Sequence, residues 1–502
     1  MIVMKILSAQ QIRELDAFTI AKTPIESIDL MERACRAFMN WFAGRFHGWE
    51  RVGIVCGTGN NGGDGMGIAR MLREQGYDPR CWIVKAGMPV TDDFTVNLNR
   101  AQGSQVSVFE VTEPAPGIFD ECDVVIDALF GSGLSRPAEG LYAWVIEEMN
   151  RADALRIAVD IPSGLRADVS SSGPIVRCDY TISFQLPKLA FLLAQNYPFV
   201  GEWVLVDIGL NREFIRGANT PFYFTRGKAI RRLLRHRNRF DHKGTFGHAL
   251  LIAGSLGKVG AAVLGSRAAL RTGVGLLTVH VPQCGNVVLQ STVPEAMLSL
   301  DRDEGMFTSP PALDNYAALG IGPGLGRNSG TVQALEFVLN HYKKPIVLDA
   351  DALNILAENR QLINAIPEGS IMTPHLKEFE RLTGKTADDF ARLEALKEFA
   401  IKTRSVTVLK GAYTAIADPT GAIYFNSTGN PGMATGGAGD VLTGIITGLL
   451  AQGYSSIDAA RIGVFVHGLS GDMAARERGM TSLIASDIIE FLAPAFLKLC
   501  HK

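Results

Sequence analysis

The sequence predicts an α/β protein built as two three-layer α/β/α domains, and three observations carry that expectation. A chain of 502 residues outgrows one ordinary core, because a domain typically takes roughly 100–200 residues. Short apolar runs of the kind that form buried parallel strands alternate with helical stretches in both halves. Glycine accounts for 53 residues, above the usual share of about 7%, and it gathers at the ends of the apolar runs without forming a repeat.

From the start of the chain, Ser8 with Gln11 makes a capping box, and Ile28, Met31, Cys35, Phe38 and Phe42 recur at helical spacing. The opening therefore reads as two amphipathic helices, to which no chemistry is assigned. The runs Val52–Cys56, Trp82–Val84, Val124–Ile126 and Ile157–Val159 follow as strands separated by helical or Gly/Pro-containing segments, the pattern of a Rossmann-like layered domain. Periodicity lapses from Gly209 to Arg226, which places the boundary near 217–225 and gives domains of residues 1–217 and 222–502. Alternation resumes with Ala249–Ala253, Leu276–Val281, Ala317–Ile321, Ile346–Asp349 and Val406–Lys410, and the chain closes in helices near 438–452, 457–476 and 485–499.

Composition narrows the function classes. Hydrophobic residues at 47%, charged residues at 20% and a net charge of −2 exclude a disordered chain and give no global attraction to nucleic acid. The basic stretch with Arg231, Arg232, Arg235, Arg237 and Arg239 reads as a solvated helix face, since aromatic residues scarcely interleave with it. The seven cysteines never form a C-x-x-C pair, so neither a disulfide framework nor a structural zinc site is expected. Neither a signal-peptide core nor a membrane-spanning run is expected, which implies a cytoplasmic protein.

Gly57-Thr-Gly-Asn60-Asn61-Gly62-Gly63-Asp64-Gly65 follows the strand Val52–Cys56 and precedes a helix expected near Met66. Strand, glycine loop and helix N-terminus together bind phosphate through backbone N–H groups and the helix dipole. A tight turn alone does not need Asn60, Asn61 and Asp64. Two further strand ends carry polar groups: Asp127 leads into Gly131-Ser132-Gly133-Leu134-Ser135-Arg136-Pro137, and Asp160 leads into Ser163. In a parallel sheet the ligand crevice lies beyond the carboxyl ends of the strands, so these segments are expected to converge.

In the second half, Thr428-Gly-Asn-Pro-Gly-Met-Ala-Thr-Gly-Gly-Ala-Gly439-Asp440 opens a helix expected from Val441. Its glycines suit an anion pocket, and Asp440 stands where a general base could take a proton from a hydroxyl attacking a phosphoryl group. The helix dipole is expected to keep that carboxylate ionised; the bland alternative is a helix N-cap. Gly322-Pro-Gly324-Leu-Gly326, Asp349-Ala-Asp351-Ala-Leu-Asn354, Thr373-Pro-His375-Leu-Lys-Glu378 and Val408-Leu-Lys410-Gly411-Ala412-Tyr413-Thr414 support it. No Gx4GK[ST] occurs, which disfavours a P-loop enzyme.

On GTGNNGGDG, DALFGSG and VDIPSG, the first roughly 215 residues resemble the NAD(P)H-hydrate epimerase domain. That resemblance implies interconversion of the R and S forms at C6 of hydrated NAD(P)H, an isomerase activity. It implies substrate contacts from the Asn60–Asp64 and Gly131–Pro137 segments, from Tyr142 and from a catalytic Asp160, and a potassium ion on Asn61, Asp127 and Ser163. On GPGLG, LDADALN, TPHLKEFERL, LKG and NPGMATGGAGDVLTG, roughly residues 222–502 resemble the ribokinase-like ADP- or ATP-dependent NAD(P)H-hydrate dehydratase. Here Ala261, Gly324, His375 and a catalytic Asp440 are implied to hold the hydrate, and Lys410, Gly411, Ala412, Tyr413, Thr414 and Gly439 the nucleotide with Mg²⁺. The implied lyase reaction phosphorylates the C6 hydroxyl of the S form and eliminates phosphate. Lys258-Val259-Gly260-Ala261 departs from the resembled pattern, which has two successive glycines before the alanine.

The expected partners are NADHX, NADPHX, ADP or ATP and further copies of the chain in a homo-oligomer, a tetramer or larger, with no nucleic acid and no membrane. Two other readings stand beside this one: a ribokinase-type small-alcohol kinase with a non-catalytic first domain, and a dinucleotide-binding regulator with both sites inactive.

Overall fold

A computed structural model describes residues 3–87 and 89–500. The chain divides into two compact units, one of Lys5–Thr220 with Asp388–Phe390, the other of Pro221–Ala387 and the chain from Ala391 on.

In the first unit a wholly parallel sheet runs in the order Ser107–Val111, Arg80–Val84, Val52–Cys56, Val124–Ala128, Leu155–Val159, Tyr180–Phe184, Glu202–Val206. Side chains alternate across it with the strand period of two. Ile54, Cys56, Ile126 and Ile157 pack on one face with Met31, Cys35, Phe38 and Phe42 of the helix Ser27–Phe42. Val55, Val125 and Ala158 pack on the other with Val145, Ile146 and Met149 of the helix Gly140–Arg151. The chain leaves Val52–Cys56 toward one edge and returns to Val124–Ala128 on its other side. Where the order reverses, the loops after the two neighbouring strands part and open a crevice.

The helix expected near Met66 begins earlier, at Asn60, and runs to Glu74. Its glycines explain the displacement. A Cβ on Gly62 would lie 1.8 Å from the Gly57 carbonyl oxygen, and one on Gly65 would meet Ala128 Cβ and Cys56 Sγ at 2.6 Å. The glycines let the first helical turns lie directly on the strand ends, so a segment that reads as a loop is helical.

The second unit's sheet runs Phe222–Thr225, Ile423–Asn426, Ala415–Ala417, Val406–Leu409, Ile371–Met372, Ile346–Leu348, Ala318–Ile321, His248–Ile252, Leu276–Val281, Met297–Leu300. It is parallel from Met297–Leu300 to Val406–Leu409 and turns antiparallel at Ala415–Ala417. Its order reverses between His248–Ile252 and Ala318–Ile321, giving a second crevice. The closing helices are Ala438–Ala451, Ser456–Arg478, Ala485–Glu490 and Leu492–Cys500. The last stretch, expected as one helix, is broken at Phe491, because Pro494 has no N–H to continue the ladder and sits in the first turn of a new helix.

Three arginines of the basic stretch are engaged locally. Arg231 donates to the Leu499 carbonyl at 2.6 Å, Arg235 donates to the Gly453 carbonyl at 2.7 Å and covers the Tyr454 ring, and Arg237 stacks on Phe246. These contacts tie the start of the unit to its last helices.

Helix Ala438–Ala451 lies against helix Val259–Arg271 through backbone, with a Cβ on Gly444 falling 2.0 Å from the Gly265 carbonyl oxygen. Gly444→Ala is expected to push the two helices apart and cost about 1–3 kcal/mol, the usual range for overpacking. A denaturant midpoint unchanged from the parent would refute that close approach.

Candidate functional sites

The first crevice holds a cavity of about 770 Å³. Of the expected residues, Asn60, Asn61, Asp64, Gly131, Ser132, Gly133, Leu134, Ser135, Arg136, Pro137, Tyr142 and Asp160 line it. Gly62 and Gly63 face the packing instead: a Cβ on Gly63 would stand 2.9 Å from Met31 Sδ. Sequence reasoning missed Ile12, Arg13 and Asp16 of the opening helix Ala9–Lys22, and Lys188, all of which line the cavity. The signal was present as Ile12, Arg13 and Asp16 on one helical face, but helical spacing cannot say which face meets a ligand.

Asp160 directly follows the strand Leu155–Val159 and takes a positive φ of 68°. Non-glycine residues rarely adopt that region, and strain of this kind concentrates at functional sites. Its Oδ1 accepts from the Phe184 N–H at 3.1 Å and from the buried Lys188 ammonium, which also donates to Ser183 Oγ at 2.8 Å. Burial, then the charges of Asp160 and Asp16, pushes the Asp64 carboxyl well up. Burial and then Asp160 push Asp16 up to about 7, against the opposing pull of Lys188. The cavity thus carries one carboxyl, Asp16, suited to hold and release a proton near neutral pH.

Asp127 and Ser163 form a fully buried pair next to it. Ser163 Oγ donates to Asp127 Oδ1 at 2.6 Å, its N–H donates to Oδ2 at 2.7 Å, and the Phe130 N–H donates to Ser163 Oγ at 2.8 Å. Burial outweighs these hydrogen bonds and pushes Asp127 up to about 6. The buried Asn61 Nδ2 is without a hydrogen-bond partner.

The second crevice holds a cavity of about 500 Å³ lined by Ala261, Gly324 and Asp440 among the expected residues, and by Lys258, Asp351, Asn354 and Glu378, which sequence reasoning had not singled out as site residues. Asp440 is not the N-cap. The helix begins at Ala438, capped by Gly437 at φ 89°, so Asp440 lies in its first turn. Burial, then Asp349, pushes its carboxyl up to about 6, so the helix dipole does not hold it at its ordinary value, although it stays mostly ionised at neutral pH.

Lys410 donates to the buried Asp349 Oδ1 at 2.9 Å, and Thr443 Oγ1 donates to Oδ2 at 2.7 Å. A Cβ on Gly439 would come within 3.6 Å of Lys410 Nζ, so the glycine run and the lysine adjoin. Gly411 and Ala412 are exposed in a turn closed by the Gly411 N–H donating to Thr414 Oγ1 at 3.3 Å, and the Tyr413 ring stands 6.4 Å from Phe224. His375 touches the lining residue Glu378, its Nε2 standing 3.4 Å from Glu378 Oε1. It caps the helix Leu376–Thr383, its Nδ1 accepting from the Lys377 and Glu378 N–H groups, and the Glu378 carboxylate accepts from the His375 N–H at 2.8 Å.

Comparison with known proteins decides the family. The family model for the YjeF-related protein N-terminus matches residues 27–190, and that for NAD(P)H-hydrate dehydratase matches residues 249–494. A bifunctional NAD(P)H-hydrate repair enzyme of Moorella thermoacetica is 36% identical over 97% of this chain and 96% of its own. The chain belongs to the bifunctional NAD(P)H-hydrate repair enzyme family. An Escherichia coli member is 32% identical over 88% of this chain and 84% of its own. A ribokinase-like superfamily protein of Enterococcus faecalis, 26% identical, covers 57% of this chain with 99% of its own at a TM-score of 0.50. Membership of the repair-enzyme family favours that reading over the small-alcohol kinase.

The raised carboxyl of Asp440 has a stability consequence. Its protonated form is the one the fold prefers, so its contribution is fully present below the ordinary pKa of 3.8 and is lost as pH rises through about 6. Asp440→Asn is expected to leave the protein as stable or up to about 3 kcal/mol more stable at pH 7.5, at roughly 1.4 kcal/mol per pKa unit. Thermal melts should show that gain vanishing toward pH 4, and a loss of stability at pH 7.5 would contradict it.

Proposed function

We propose that residues 1–217 form an epimerase domain interconverting R- and S-NAD(P)HX, and that residues 222–502 form a dehydratase domain returning S-NAD(P)HX to NAD(P)H with ADP or ATP. The observation that supports this best is the pair of crevices, each at a sheet reversal and each lined by a carboxyl pushed up toward neutral, Asp16 to about 7 and Asp440 to about 6. The two activities complement each other: the dehydratase uses one epimer and the epimerase supplies it from the other.

In the second domain Asp440 takes the proton of the C6 hydroxyl as that oxygen attacks the terminal phosphoryl group of the nucleotide. Phosphorylation turns a poor leaving group into a good one; phosphate then departs from C6 with the C–O bonding pair, and C5 gives up a proton whose bonding pair forms the ring double bond. Lys410, held by Asp349, and the N–H groups around Gly439 bear on the nucleotide phosphates. Among the described residues no group of three or more His, Cys, Asp or Glu could hold a metal ion by itself. Asp351 and Asp440, which line the cavity, would offer oxygen donors to a Mg²⁺ arriving with the nucleotide. Bound there, Mg²⁺ would neutralise charge on the transferring phosphoryl group.

In the first domain Asn61, Asp127 and Ser163 offer only oxygen donors to a metal, and Asp127 carries a buried charge that a monovalent cation would offset. Potassium would hold the loop after Val124–Ala128 in place beneath the substrate. Among the described residues no helix is long and apolar enough to cross a membrane.

With mixed hydrate, Mg²⁺ and nucleotide, NAD(P)H absorbance and released phosphate should rise together. Asp440→Asn should lower dehydration roughly 10²–10⁴-fold, the usual cost of losing a general base, and leave epimerisation intact. A folded Asp440→Asn protein with parental dehydration would remove Asp440 from the chemistry. Epimerisation should run faster in K⁺ than in Li⁺ or a bulky organic cation and be indifferent to a transition-metal chelator, and equal rates in all three salts would exclude the potassium site.

A further inference from the structure

The epimerase cavity contains a carboxyl group that the proposed reaction has not yet used. Asp16 lies on the opening helix Ala9–Lys22, outside the residues matched by the family model for this region. That helix is fixed within its own unit. Leu15 and Thr19 are buried, the Ala9 N–H donates to Asp168 Oδ2 at 2.7 Å, the Asn211 N–H donates to Thr19 Oγ1 at 3.0 Å, and Phe18 packs on Phe214 at 5.4 Å between ring centres. So anchored, the helix turns Ile12, Arg13 and Asp16 into the cavity. An acidic side chain that served only to solvate a helix would not be turned inward toward two other carboxylates.

Inverting a hydroxyl-bearing carbon next to a ring nitrogen by opening and reclosing the ring requires two proton transfers. A base removes the C6 hydroxyl proton, the oxygen's electron pair forms C=O, the C6–N1 bond breaks and its pair goes to N1, which takes a proton from an acid. Rotation presents the other face of the carbonyl, and reclosure reverses both transfers. Atoms and electrons balance without an oxidant, but one carboxyl cannot perform both transfers at once.

Resting on the epimerase reading of this cavity, we propose that Asp16 is the second proton-transferring group, working with Asp160, and that Lys188 is the residue that positions Asp160. Lys188 is buried, binds the Asp160 carboxylate directly and is itself held by Ser183 Oγ. That contact holds the Asp160 carboxyl in place to accept the hydroxyl proton. Asp16 lacks such a direct lysine contact among the described residues, and burial beside Asp160 pushes it up to about 7, so near neutral pH it holds a proton to donate. The charged groups around it are Arg13 on its own helix, Asp64, Asp160 and Lys188 opposite, and Arg136 and Glu139 across the cavity.

The test uses the full-length protein, whose dehydratase reports on folding. Asp16→Asn is expected to lower the epimerisation kcat roughly 10²–10⁴-fold, with KM changed less than about threefold and S-hydrate dehydration unchanged. The parent's epimerisation rate should fall as pH rises through about 7, Asp16→Asn should lack that limb, and Asp16→Glu should recover part of the rate. Lys188→Met should alter the pH profile as well as kcat, with partial rescue in Lys188→Arg. Asp16→Asn with parental kcat and pH profile, or a loss confined to KM, would overturn the assignment. A parent that fails to interconvert the epimers would instead overturn the epimerase reading on which it rests.

Discussion

Both sites depend on backbone meeting backbone where no side chain fits. A Cβ on Gly57 would lie 2.2 Å from the Leu129 carbonyl oxygen, across the reversal between the strands Val52–Cys56 and Val124–Ala128. One on Gly322 would lie 1.8 Å from the Asp349 carbonyl oxygen, between neighbouring strand ends of the second sheet. These approaches close the crevice floors with main chain and leave polar side chains to stand above them. Glycine here serves packing first, and the distance between functional groups follows from it.

Above each floor the same electrostatic device recurs. A carboxylate at a strand end is buried and tied to a lysine, Asp160 to Lys188 in one unit and Asp349 to Lys410 in the other. Each stands at a conformational exception: Asp160 itself has φ 68°, and Ala350, directly after Asp349, has φ 48°. A lysine beside one carboxylate leaves the others at the cavity, Asp16 and Asp64 in one and Asp440 in the other, without the same compensation. Burial first, and then the neighbouring carboxylates, raises their pKa values. Clustered carboxyls whose proton affinities are driven apart divide into acids and bases.

The layered α/β architecture was legible because buried parallel strands are short, apolar and bounded by glycine. Several of the strands that escaped notice lack that signature. Ser107–Val111 is an edge strand with Phe109 exposed, Glu202–Val206 is half-buried, and Ile371–Met372 is too short to stand out. Strand-end motifs announced Asn61, Asp127, Asp160 and Asp440, since polar groups after apolar runs need a reason. Asp16 and Lys188 were not legible as site residues, because each reaches its cavity through tertiary packing that leaves no local pattern. The motif around His375 and Glu378 was visible, but not that the His375 ring caps the helix Leu376–Thr383.

Asp440 shows how magnitude decides between competing effects. A helix N-terminus favours a carboxylate by about 0.3–1 kcal/mol in ordinary settings. Raising a carboxyl from 3.8 to about 6 corresponds to roughly 3 kcal/mol in the other direction, at about 1.4 kcal/mol per unit. Burial, with Asp349 and Asp351 nearby, therefore prevails over the dipole and over Lys410. A carboxylate at its ordinary pKa would be a weak base toward a hydroxyl; one near 6 remains ionised at neutral pH and binds a proton about a hundredfold more tightly. The burial and acidic surroundings that make the position costly to the fold would strengthen Asp440 in the base role proposed for it.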